Sequence, residues 1–151
     1  MGASPSDQVI QGSGSTSGPV NAARKSIVVN VPVERAYQQW AQVENLPKFI
    51  TPLRDVRRLD DTRFSCTWHP DGEDRQGVLH IVIQIPCRRI AWRMLSDPVM
   101  SGVVKFAPRS KQETEVTLRI RSVLDPSTLS LRLEEYLGKF KRLVEKKDAT
   151  K

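Results

Sequence analysis

Three features of the 151-residue sequence predict an α+β fold. One long amphipathic stretch, Asp125 to Lys147, closes the chain. Ahead of it run about six segments that alternate apolar and polar residues. Strands and helices do not alternate in the βαβ manner: the order is strand, two short helices, strands, long helix. The long helix must bury an apolar stripe, and the upstream sheet is the only partner available.

The closing helix is signalled by Asp125-Pro126, a side-chain acceptor followed by a proline whose missing N–H costs nothing in a first turn. Leu129, Leu133, Tyr136, Leu137, Phe140 and Val144 step by three and four along one face, with Leu143 beside them. Arg132, Glu134, Glu135, Lys139, Lys141, Arg142 and Glu145 fall on the opposite face. About 22 residues make a helix roughly 33 Å long, the span of a small domain.

From the start, residues 1–23 read as a disordered tail, because Gly12 to Pro19 is a polar Gly/Ser tract with nothing to bury. The domain is expected over 24–148. Ser26 to Val31 is a β-branched strand ended by Pro32. Val33, Ala36, Tyr37, Trp40 and Val43 have helical spacing. Asn45 is placed as the cap of a second short helix, Leu46 to Ile50, stopped by Pro52.

Strands are expected at Val56 to Leu59, Arg63 to His69, Arg75 to Ile85, Arg88 to Leu95, Gly102 to Phe106 and Thr114 to Arg121. Asp60-Asp61 and Pro70-Asp71-Gly72 are turns. In the third of these strands Leu79, Ile81, Ile83 and Ile85 share the core face, opposite Val78, His80, Val82 and Gln84. One apolar and one wet face is the mark of an antiparallel sheet covered on a single side.

No run reaches the ~18 apolar residues of a membrane span. Cys66 and Cys87 match no metal spacing and are read as thiols of a reducing cytoplasm. The net charge is +7, but from Lys139 onward six basic residues face two acidic ones. Much of the excess therefore sits at one helix end, where it complements the dipole. That weakens a case for nucleic acid, as does the lack of a strand that interleaves aromatic and basic residues.

The stretch Val31-Pro32-Val33 through Trp40, then Val43-Glu44-Asn45-Leu46-Pro47-Lys48-Phe49 and Val56 to Asp61, resembles the polyketide cyclase/dehydrase branch of the SRPBCC (START-like) superfamily. Ile90-Ala91-Trp92-Arg93, Gly102 to Phe106 and Phe140 to Glu145 are similar to its later motifs. The resemblance covers Ser26 to about Lys147. It implies a helix-grip fold: a curved antiparallel sheet of about seven strands around the C-terminal helix, with a cavity between. The run from Arg121 to Asp125 is shorter than in many members, which bears on the size of that cavity.

No glycine-rich phosphate loop, metal cluster or nucleophile elbow is present. His69 reads as a loop histidine, His80 as solvent-side, Asp60-Asp61 as solvated turn residues, and Arg88, Arg89 and Arg93 as outward. No catalytic residue is assigned, and neither metal nor cofactor is expected. Alternation selects Phe64, Trp68, Leu79, Ile81, Trp92 and Met94 as the sheet's contribution to an apolar pocket. Trp40 and Phe49 join them from the short helices, and Tyr136 and Phe140 from the long one, Tyr136 as the polar handle. The expected protein is a cytoplasmic monomer that binds a small hydrophobic or aromatic ligand such as a lipid, quinone or polyketide-like molecule. The alternative is an enzyme that cyclises or dehydrates an aromatic polyketide-like substrate by orienting it.

Overall fold

The computed structural model describes residues 20–69, 74–95 and 100–146. Residues 1–19, the Pro70-Asp71-Gly72 turn, the last residues from Lys147 and the side chain of Trp68 lie outside that description. The element order is β1 (Asn21–Val29), α1 (Val33–Ala41), a 3-10 helix (Val43–Lys48), then β2 (Leu53–Arg58), β3 (Arg63–Trp68) and β4 (Arg75–Ile85). It continues with β5 (Arg89–Met94), β6 (Met100–Ser110), β7 (Glu113–Ser122) and α2 (Pro126–Glu145). The seven strands form one curved antiparallel sheet, in the order β1-β7-β6-β5-β4-β3-β2. The α+β helix-grip architecture is therefore the one expected.

Several boundaries move: β6 runs Met100–Ser110 where Gly102 to Phe106 was expected, and β1 ends at Val29 ahead of Val31. β1 starts at Asn21, taking in three residues read as tail: Asn21 pairs with Ser122, and its side-chain amide donates to the Leu124 carbonyl at 3.0 Å. β2 starts at Leu53, earlier than Val56. It is broken by a bulge between Arg54 and Arg57, where Asp55 takes φ 51°, a left-handed conformation that aspartate tolerates. The second short helix is a 3-10 turn beginning at Val43, and Asn45 does not cap it; its amide donates instead to Gln42 Oε1 at 2.9 Å.

The largest correction is in β4. Ile81 pairs with Trp92, but the next pair is Ile83 with Ala91, so one extra residue is inserted on β4. Such a bulge reverses the faces beyond it. Gln84 now points inward and donates to Tyr37 Oη at 2.9 Å. Ile83 and Ile85, expected in the core, are 38% and 41% exposed on the outer face. Leu79 and Ile81, ahead of the bulge, stay buried.

α2 lies against β1 and β7 on the concave side of the sheet. Asp125 caps it, its carboxylate accepting from Thr128 N–H and Oγ1 at 2.9 and 2.8 Å. At its other end, Lys141 Nζ donates to the Val28 carbonyl and to Glu145, whose carboxylate also accepts Asn30 N–H at 2.7 Å. Burial would raise the Glu145 carboxyl, but these hydrogen bonds outweigh it and hold it below the usual range. The same junction is pinned from β7, where the buried Thr114 hydroxyl donates to the Val31 carbonyl at 2.9 Å.

Phe140 is fully buried, with ring centroids 5.5 Å from Trp40 and 5.3 Å from Phe49. Phe140→Ala removes both ring contacts and leaves a void, so it should cost ~3–5 kcal/mol of stability in chemical denaturation. Exposed Glu135→Ala on the same helix should shift the unfolding midpoint little, and equal midpoints would refute the face assignment.

Candidate ligand site between the sheet and the long helix

The large side chains facing α2 divide into two groups. Behind α1, Trp40 meets Phe49 edge-on at 4.8 Å and stacks on Trp92 at 6.1 Å, and Phe140 closes the cluster. These rings pack directly against one another. Trp40 Nε1 is buried there with no hydrogen-bond partner among the described residues, a net cost of about 1–3 kcal/mol. Phe64, Ile81 and Met94 are also buried on the concave face, Phe64 beneath the Arg58 guanidinium at 4.8 Å and Met94 within 3.9 Å of the Cys66 sulfur.

A cavity of about 30 Å³ lies beside this cluster, bounded by the 3-10 helix, the sheet and α2. That is room for one or two water molecules. Of the ten residues selected from the sequence, Leu79, Trp92 and Tyr136 line it. Its walls otherwise come from residues the sequence did not single out, such as Leu46 and Ile50 beside the 3-10 helix, Met100 and Ile120 on the sheet, and Leu129 on α2.

Three polar residues join the lining: Ser122, Arg132 and Tyr136. Ser122 Oγ accepts from Leu124 N–H at 3.2 Å, which leaves its own proton to donate. Burial pushes the Tyr136 hydroxyl up to about 12, with the Arg132 charge partly offsetting the effect. At neutral pH Tyr136 is therefore a hydrogen-bond donor that holds its proton. Sequence reasoning placed Arg132 on the wet face of α2, yet it precedes Tyr136 by four residues and so shares a helix face with it. Ser122 follows buried Ile120 by two along β7, a signal that was equally readable.

Gly102 sits opposite Trp92 across the β5–β6 ladder. A Cβ there would stand 2.8 Å from indole Cε2 and 2.9 Å from Cη2, so the missing side chain is what lets the indole lie flat on the sheet. The other sequence candidates are spread out. His69 pairs with Asp74 at 2.7 Å beside the β3–β4 connection. Asp60 is a turn residue, held down at about 2 by the Arg63 side chain and by turn N–H groups. His80 is half-buried on the outer face, where its Nδ1 lacks a partner among the described residues. Cys66 and Cys87 are free thiols, and burial raises Cys66 to about 11.

A family model described as polyketide cyclase/dehydrase and lipid transport matches residues 29–147. The chain belongs to this family. An uncharacterized 17.2 kDa protein from the melC2-rnhH intergenic region of Streptomyces lincolnensis is 29% identical over 124 residues, spanning 82% of this chain and 81% of its own. A Deinococcus radiodurans protein of solved structure is 30% identical, with a TM-score of 0.68 over 83% of this chain and 98% of that one. An aromatase/cyclase from Streptomyces sp. R1128 shares the fold at 19% identity, with a TM-score of 0.61 over 83% and 96% of the two chains.

Two outcomes follow from this geometry. Gly102→Ala should push the Trp92 indole toward the cavity, costing ~1–3 kcal/mol and altering tryptophan emission; an unchanged spectrum and midpoint would show that the indole does not rest on this glycine. The Tyr136 hydroxyl titrates higher in the folded chain, at about 12, than in the unfolded chain, at about 10. Its contribution to stability is thus complete below about pH 10 and lost as pH rises through about 12. Tyr136→Phe should flatten that alkaline loss in pH-dependent denaturation, and identical alkaline limbs would contradict it.

Proposed function

We propose that this protein binds a small hydrophobic or aromatic molecule between the sheet and α2, with an oxygen of the ligand held at Ser122, Arg132 and Tyr136. The observation that carries this reading is the joining of apolar walls to three convergent polar groups at one cavity. The cavity is water-sized as it stands, so a ligand enters by displacing side chains. The 3-10 helix is the wall best suited to yield: it is six residues, about two turns, contains Pro47 and has no side-chain cap. The membership in a family whose description includes lipid transport supports the same reading. The two free thiols fit a reducing cytoplasm.

Binding is favoured over the alternative, a cyclase or dehydrase acting on a polyketide-like substrate. Proton transfer at neutral pH calls for a group poised near 7, and Tyr136 lies far above it. Orientation of a reactive substrate by the same three groups is the form an enzyme here would take.

The test is fluorescence titration with 1-naphthol and naphthalene, read from the tryptophans. Saturable quenching by both is expected, with Arg132→Gln and Tyr136→Phe each weakening naphthol by about tenfold and naphthalene little. Leu129→Trp, which fills the cavity, should abolish both. Absence of saturable quenching in the unaltered protein, or quenching unaffected by Leu129→Trp, would overturn the proposal.

A further inference from the structure

The outer face of the sheet carries a second, separate arrangement. Strand register places Arg24, Arg119, Val103, Ala91 and Ile83 in one row across β1, β7, β6, β5 and β4. The neighbouring row is Ser26, Thr117, Lys105, Arg89 and Ile85. Both rows run from polar and cationic on β1 and β7 to apolar on β4. The β4 bulge turns Ile83 and Ile85 outward and so places them at the apolar end of these rows.

Two cross-strand pairs in these rows, Arg24 with Arg119 and Lys105 with Arg89, juxtapose like charges. Such pairs destabilise a sheet unless something neutralises them. None of the four cations makes an ion pair with an acidic side chain among the described residues; Glu115, the acidic residue on this part of β7, is engaged by Arg109 at 3.2 Å. The four surround a hollow of about 370 Å³ whose remaining walls are Val103 and Thr117. Arg89 and Lys105, with Arg88, also wall a second hollow of about 650 Å³ at the β4–β5 hairpin; Ile85, Pro86 and Pro108 supply apolar surface there, and it reaches round the end of the sheet to Phe106 and to Val33 of α1. A cationic hollow thus shares a wall with one of mixed character that is largely apolar at Ile85, Pro86 and Pro108.

We infer that this face binds a single-chain amphiphile with a phosphate or comparably charged head. The head sits among Arg24, Arg119, Lys105 and Arg89, where it neutralises both like-charge pairs. The chain crosses the Arg89–Lys105 wall and covers Ile85. From β1 to β4 is four strand spacings, roughly 19 Å, a distance a single extended acyl chain with its head can span. The hollows between these side chains, on a face that is otherwise convex, favour one bound molecule over the plane of a bilayer. Among the described residues no aromatic ring faces out of these two rows, so the stacking on which single-stranded nucleic acid relies is missing.

The experiment is calorimetric titration with monomeric dodecyl phosphate, located by backbone amide shifts in NMR. One-to-one saturable binding with shifts confined to the outer residues of β1, β4, β5, β6 and β7 is expected. Dodecyltrimethylammonium, with the same chain and the opposite charge, should not bind there. The double variant Arg89→Gln/Lys105→Gln and the single variant Ile85→Ser should each weaken dodecyl phosphate by about tenfold or more, while leaving 1-naphthol quenching at the interior cavity unchanged. Equal binding of the cationic detergent, shifts that map to the interior cavity, or affinity indifferent to both variants would overturn the inference. So would binding to phosphatidic-acid vesicles without binding to the monomer, or tighter binding of a double-stranded oligonucleotide through the same arginines.

Discussion

The structure depends on burial of one helical stripe. α2 supplies Leu133, Tyr136, Leu137, Phe140 and Val144 to the concave side of a sheet that has no other layer of comparable length. Removing that apolar area from water stabilises the fold, and it covers the concave face that the sheet would otherwise leave wet. The cluster of Phe140, Trp40 and Phe49 carries the packing across to α1 and the 3-10 helix, so three separate segments are locked through one ring. The hydrogen bonds of Lys141 and Glu145 to Val28 and Asn30 then fix the helix in register along β1. Close packing of this kind tolerates little empty space, which is the physical reason that the cavity is small.

What remains open is instructive for its position. The void lies where Ser122, Arg132 and Tyr136 join a lining that is otherwise apolar. The aromatic cluster, richer in large flat surfaces, is filled by its own rings. In this chain the aromatic residues mark where the core is packed ring on ring, and the cavity lies at the edge of that cluster, where polar groups enter.

The β4 bulge links the two faces of the sheet. By inserting one residue it brings Gln84 inward to Tyr37 and sends Ile83 and Ile85 outward beside Arg89. Without the bulge, the outer end of β4 would carry Val82 and Gln84, and the concave end would gain two isoleucines. The exposed apolar surface beside cations that have no acidic partner among the described residues is therefore built into the ladder, and is not a leftover of composition.

Most of the architecture was legible in the residues. The stripe of α2, the Asp125-Pro126 start, the alternation on β3, β5, β6 and β7 and the order of elements all follow from periodicities of 3.6 and 2, which act through neighbours close in sequence. Leu79, Trp92 and Tyr136 reach the cavity as that alternation and helical spacing indicate. Three things were decided only in three dimensions. The bulges of β2 and β4 depend on how each strand pairs with its partner, and no single strand encodes that pairing. The choice between interlocked rings and a ligand-sized gap depends on how far α2 settles onto the sheet, to within less than a side chain's width. The two like-charge pairs of the outer face bring together residues from β1 and β7, and from β5 and β6. Their repulsion comes into being only when the sheet forms, because in the unfolded chain these cations are solvated and far apart.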